Sequence, residues 1–269
     1  MTTSSIPVAA TTSGPELVAA FSECWTSMLG MAGELSEAQW MSPSLCPDWT
    51  CKDALLHVTA AEIGFAEWDD LSRPPFDRIK AAMAELRARS GSEVLEAFAR
   101  ITHRRGEQLS AMSEADLDRA SWTAAGPGSY RRYMEIRVFD HWAHEQDIRV
   151  PLGRPGHLEG LGAEKSLDEA HIALGYLVGK KAAAPDGSSV AIHVHGPTSR
   201  ELYAVVEGRA RVVADLQQPT AEATTDFATF MLLCCGRIDP LGPLSDGRVT
   251  LSGDKALAER VASNLAFTI

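Results

Sequence analysis

The apolar residues of this chain change period part-way along, and that change limits its fold more than any other feature. Over Glu16 to Leu35, Leu17, Phe21 and Met28, with Val18, Trp25 and Leu29 beside them, recur at helical spacing, and comparable blocks follow as far as Arg149. From Val190 the pattern alternates instead. VAIHVH (Val190 to His195), LYAVV (Leu202 to Val206) and ARVV (Ala210 to Val213) are short β-branched runs that read as strands. The chain is therefore expected to join an N-terminal all-α four-helix bundle to a small α+β domain.

Start and stop signals divide the helical part. Ser36 reads as the cap of a short SEAQW turn, and Thr50, with Asp53 behind it, as the cap of a second long helix over Cys51 to Asp70 that carries His57. RPPF, Arg73 to Phe76, breaks the pattern, because consecutive prolines remove donors and push the preceding residue out of helical space. Ala81 to Ala88 is helical by composition, and Ser90-Gly91-Ser92 restarts a third long helix bearing Val94, Leu95, Phe98, Ile101 and Leu109. Asp116 to Pro127 is mixed. Tyr130 to Arg149 is the fourth long helix, stopped by PLGRPG, and Ser166 to Lys181 shows a fifth helical pattern. Thr225 is read as capping TTDFATFMLLCCG, Arg248 to Leu251 as a last strand, and Asp254 to Asn264 as a last helix. The expected domains are a disordered tail over 1–14, the bundle over 15–155, a connecting helical segment over 156–185 and the α+β domain over 186–269.

A net charge of -11 argues against binding a phosphate backbone, which needs clustered Lys and Arg. The basic residues here are scattered, so no nucleic-acid partner is expected. No apolar run approaches the roughly 18 residues of a membrane span, and Met1 to Pro15 has no signal-peptide pattern. Five cysteines, Cys24, Cys46, Cys51, Cys234 and Cys235, form no CxxC pair, which suits reduced thiols in a cytoplasm. Cys234 and Cys235 stand among Phe230, Met231, Leu232 and Leu233 and read as buried, inert thiols.

Within the fourth helix, Asp140-His141-Trp142-Ala143-His144 packs a carboxylate and two imidazoles into little more than one turn. Residues four apart are neighbours on a helix, so Asp140 and His144 can form two arms of a metal clamp, with His57 as the third. Two His and one carboxylate suit a divalent transition metal, zinc above all, and leave a coordination position open, as catalytic sites do. The bland alternative is an ion pair, which uses the same spacing. His141 with His144, and His141 with Glu145, are rival pairs. Asp147 shares the His144 face, either orienting that imidazole or standing as a charge near the helix end. His193 and His195 share one face of a strand, which a half-exposed polar face explains, and Trp25, Trp49, Trp68 and Trp142 read as core or cleft wall.

PSLCPDWTCKDALLHVTAAE and RVFDHWAHEQDIRVPLGRP resemble the two signature regions of the mycothiol-dependent maleylpyruvate isomerase family, within the DinB-like four-helix superfamily. The first matches Cys-Pro-x-Trp-Thr followed by a helix with a metal-binding His; the second matches carboxylate-x-x-x-His with a following Asp. The resemblance implies His57, Asp140 and His144 as metal ligands and leaves out His141 and Glu145. The sequence departs from the family in having Asp140 where Glu is usual, one methylene shorter, so that direct ligation asks for a helix shift or a bridging water. YAVVEGRARVV and CCGRIDPLGPLSDGRVTLSGDKALAERV resemble the sterol-carrier-like C-terminal domain of many relatives. Its Gly-Arg segment makes Arg237 the candidate catalytic residue, because a guanidinium can hold both oxygens of a substrate carboxylate; a surface arginine at a helix end is the alternative.

Together these readings lead to a metal-dependent enzyme that uses a low-molecular-weight thiol, mycothiol by resemblance, on a small electrophilic substrate. Isomerisation and S-transfer are both open, in a monomer or homodimer. The contrasting expectation, favoured by Asp140, is a non-catalytic protein with a degenerate site whose C-terminal domain holds an apolar ligand or a partner.

Overall fold

The computed structural model describes residues 11–268, so the expected tail lies outside the described residues as far as residue 10. The chain divides into two compact units, Thr11–His157 and the stretch from Leu158 onward.

The first unit holds α1 (Gly14–Ala32), α2 (Glu37–Trp40), α3 (Cys51–Ala66), α4 (Phe76–Arg87), α5 (Gly91–Ser110), α6 (Glu114–Leu117), the strands β1 (Ala120–Thr123) and β2 (Gly126–Ser129), and α7 (Tyr130–Arg149). Local chemistry starts these helices. Ser36, Thr50, Ser90 and Ser113 each accept from the amide three residues on, while Gln39, Asp53, Glu93 and Asp116 reach back to the cap amides. The four long helices close into a ring, α1 and α3 each packing against both α5 and α7. Phe21, Met28, Leu55, Val94, Phe98, Met134 and Trp142 fill its interior.

Two helix bounds differ from the sequence reading. α3 ends at Ala66 rather than Asp70, because Asp70 accepts from the Ser72 amide and hydroxyl and from Arg73, and Trp68 Nε1 donates to the Asp70 and Arg73 carbonyls, closing a side-chain-held turn. α4 starts at Phe76, directly after Pro75, so the prolines open this helix as well as ending the previous turn. The mixed stretch before α7 is an antiparallel hairpin pairing Trp122 with Pro127, and Ser129 then caps α7.

In the second unit, α8 (Leu161–Tyr176) runs into a π-helical turn (Leu177–Lys181) and is followed by β3 (Ser189–His195), β4 (Arg200–Glu207), β5 (Arg209–Val213), β6 (Ala221–Asp226), α9 (Phe227–Cys234), α10 (Leu241–Asp246), β7 (Val249–Gly253) and α11 (Lys255–Ala262). The sheet order is β5-β4-β3-β6-β7, with β3 and β6 parallel and the other neighbours antiparallel. Residues 156–185, read from the sequence as a connector, largely belong to this unit. α8 and its π turn lie on β5, where a Cβ on Gly179 would come 2.8 Å from Ala210 Cβ. β6 is a strand the sequence reading missed. Its inward residues are Ala221, Ala223 and Thr225, and the helix cap is Asp226 rather than Thr225, accepting from the Thr229 amide at 2.9 Å. No helix among the described residues is long and apolar enough to cross a membrane.

Gly91 tests the packing of the first unit. A Cβ there would lie 2.2 Å from the Trp40 ring, which is fully buried, so the clash outweighs the small gain in helix propensity. Gly91→Ala is expected to destabilise this unit by about 1–3 kcal/mol. Urea unfolding followed by tryptophan fluorescence checks it, since all six tryptophans lie in the first unit.

Candidate metal centre

α3 and α7 bring His57, Asp140 and His144 together. Asp140 sits between the imidazoles, Oδ2 3.7 Å from His57 Nε2 and Oδ1 3.7 Å from His144 Nε2. One ligand atom from each residue lies within 4.8 Å of the others, and among the described residues no other three His, Cys, Asp or Glu side chains form such a group. Bonds of about 2.0–2.2 Å to one zinc hold tetrahedral donors about 3.3–3.6 Å apart. The two 3.7 Å separations, one to each carboxylate oxygen, are close to that range, and two imidazole nitrogens with one carboxylate are a donor set that fits a divalent metal.

The surroundings prepare both imidazoles. Asp147, fully buried, accepts from His144 Nδ1 at 2.9 Å; this assigns the proton to Nδ1 and leaves the Nε2 lone pair facing Asp140. Trp49 stacks on His144 at 5.6 Å between centroids and lies 5.2 Å from His57. Its loop is fixed by the Leu45 amide donating to the Asp147 carbonyl and the Ser44 amide to the Trp49 carbonyl. Burial pushes the His57 pKa down against the opposing pull of Asp140, favouring the neutral, ligating form. For Asp140, burial would raise the pKa, but the Arg137 guanidinium beside it, with the neighbouring His144 and His57 rings, outweighs it and holds the carboxyl well below its usual range.

The rivals face elsewhere. His141 is buried and its Nε2 lies 3.0 Å from Glu62 Oε1 in the bundle interior. Glu145, with no exposure, accepts from Ser27 at 2.6 Å and from Arg149, and its other oxygen lies 2.6 Å from His157 Nδ1. Arg237 follows α9 in the second unit and donates Nη1 to the Cys235 carbonyl at 3.0 Å. His193 lies between Glu201 and Glu222 on the sheet of the same unit. Cys24, Cys51, Cys234 and Cys235 are buried, and burial raises the thiol pKa of the first three. Sequence reasoning passed over Arg137, whose Nη1 donates to Asp140 Oδ2, and Glu62, which accepts from Arg137 Nη2 at 3.4 Å. The available signals were an arginine one turn before a candidate ligand and an acid, Glu62, set among the apolar residues of the second half of α3.

Two family models match the chain: the mycothiol maleylpyruvate isomerase N-terminal domain over residues 8–149 and the MDMPI C-terminal domain over residues 164–260. The chain belongs to the mycothiol maleylpyruvate isomerase family. Two crystal structures, of the mycothiol-dependent maleylpyruvate isomerase and of a histidine-to-alanine mutant of it, share the family fold with this chain. Each is 16% identical and covers 92% of this chain and 93% of its own, with TM-scores of 0.60 and 0.62 respectively. Sterol Carrier Protein 2 from Yarrowia lipolytica also aligns, at 11% identity over 39% of this chain and 92% of its own, with a TM-score of 0.29. No curated protein matches the chain.

The cluster that holds Glu145 predicts a pH effect. His157 lies at the exit from α7, its Nδ1 facing Glu145 and its Nε2 3.1 Å from Glu23 on α1, with Arg149 on the far side of Glu145. Burial alone would lower its pKa, but the two carboxylates prevail and raise it. A raised folded pKa means that the stabilisation is complete below the unfolded value of about 6.5 and fades as pH rises through the folded value. His157→Gln is therefore expected to cost about 1–2 kcal/mol near pH 6 and less at pH 9, checked by urea unfolding at both.

Proposed function

We propose that this protein is a thiol-dependent isomerase that uses mycothiol on a small electrophilic substrate, with His57, Asp140 and His144 holding a divalent metal, most simply zinc. The observation that carries the reading is the convergence of three donors from two helices, one imidazole already fixed in its ligating tautomer by Asp147. Membership of the family supplies the thiol and the reaction type. When bound, such a metal supplies Lewis acidity that lowers the pKa of a thiol toward neutrality.

The chain's own residues do the preparatory work. His57 and His144 turn their Nε2 atoms toward Asp140, which supplies negative charge between them, and Trp49 lies against both rings. Internal thiols are poor competitors for the nucleophile's role. Four of the five cysteines are buried, and burial holds three of those as thiols. An external thiol that adds to a conjugated carbon leaves a single bond free to rotate, and its elimination then returns both thiol and rearranged product. S-transfer differs in that the sulfur stays on the product.

Isomerisation of a cis-configured conjugated diacid, followed by absorbance, tests the proposal. Turnover is expected to require both mycothiol and metal, and His57→Ala to lower kcat/KM by more than about 100-fold, beyond the 10–100-fold typical of losing a residue that only orients a ligand. Turnover without any thiol, or a His57→Ala enzyme as active as the wild type, would contradict it.

A further inference from the structure

The shorter acid at position 140 is not left to its own torsions. Arg137 stands three residues before it on α7, 5% exposed, and its guanidinium is held on several sides. Nη1 donates to Asp140 Oδ2, Nη2 donates to Glu62 Oε1 at 3.4 Å, and the guanidinium carbon lies 5.2 Å from the centre of the Phe65 ring. Glu62 is itself fixed. It has no exposure, accepts from Arg105 Nε at 3.0 Å, and lies 3.0 Å from His141 Nε2; Arg105 in turn donates Nη2 to the Tyr130 hydroxyl at 3.0 Å. A chain of contacts thus runs from α5 through α3 to the Asp140 carboxylate.

We propose that Arg137 is a positioning residue for Asp140, aimed by Glu62, so that the shorter carboxylate is presented to His57 and His144. This inference rests on the metal-site reading above. The guanidinium is suited to the task because its fork engages two carboxylates in one plane, which an ammonium on a flexible stem cannot reproduce. The same cation also repels a bound dication. Positioning and repulsion predict opposite signs for the loss of Arg137, and that makes the role decidable.

The test measures zinc affinity by competition with a chromogenic chelator and the visible spectrum of the cobalt-loaded protein, for wild type, Arg137→Met, Arg137→Lys and Asp140→Ala. Far-UV circular dichroism confirms folding, and Arg137→Lys, which keeps the charge, serves if Arg137→Met does not fold. Zinc binding is expected to weaken about 10–100-fold in both Arg137 variants, the range found when a residue that orients a ligand is lost. The cobalt bands are expected to shift in Arg137→Lys, a change that a purely structural role would not produce. Equal or tighter zinc binding in Arg137→Met would show a competing charge, and an Arg137→Lys protein with wild-type affinity and spectrum would show that the fork is not needed; either overturns the inference. The metal-site reading fails separately, if wild type binds no zinc or Asp140→Ala binds it as tightly as wild type.

Discussion

Glu62, a carboxylate with no contact with solvent, sits where α3, α5 and α7 meet, and it holds the arginine that reaches Asp140. Taking such a group out of water costs several kcal/mol unless it is paired and hydrogen-bonded. Here Arg105, Arg137 and His141 surround it, and across Glu62, Asp140, Arg105 and Arg137 two negative charges balance two positive ones. Replacing Arg105 or Arg137 leaves Glu62 buried and short of a partner. The network therefore links α3 to α7, and His57, just over a turn before Glu62 on α3, faces Asp140 and His144.

Much of the helical unit could be read from single residues. Ser36, Thr50 and Ser90 cap where their side chains can reach a free amide, and the Tyr130–Arg149 helix has the bounds its flanking signals give. What escaped reading was decided at longer range or by small residues. Ala-Glu-Ala-Thr-Thr-Asp carries too little apolar bulk to announce β6, which forms because β3 and β7 flank it. Residues 156–185 read as a connector, and Gly175 and Gly179, which approach Ala210 and Arg211 of β5, carry no side chain to mark that contact in the sequence.

The candidate site was half legible for a related reason. Spacing brought Asp140 beside His144, yet α7 is buried on nearly every side, so its pattern does not say which face carries chemistry. His141 faces Glu62, Glu145 faces His157, and Asp140 with His144 faces His57: three polar clusters on one helix, separated only by what the neighbouring helices offer each side. The substitution of Asp for Glu looked like a weakness while the sequence stood alone. In the folded chain Asp140 lies 3.7 Å from each imidazole, through Oδ2 to His57 and Oδ1 to His144, and Arg137 donates to Oδ2.

The central claim is that two imidazoles and one carboxylate hold the metal, with no cysteine among them. Zinc K-edge X-ray absorption on the zinc-loaded protein, free of added thiol, tests it most directly. The expected spectrum has a first shell of nitrogen and oxygen at about 2.0–2.2 Å, outer-shell scattering from two imidazoles and no sulfur. A sulfur shell at about 2.3 Å, or scattering from fewer than two imidazoles, would contradict it.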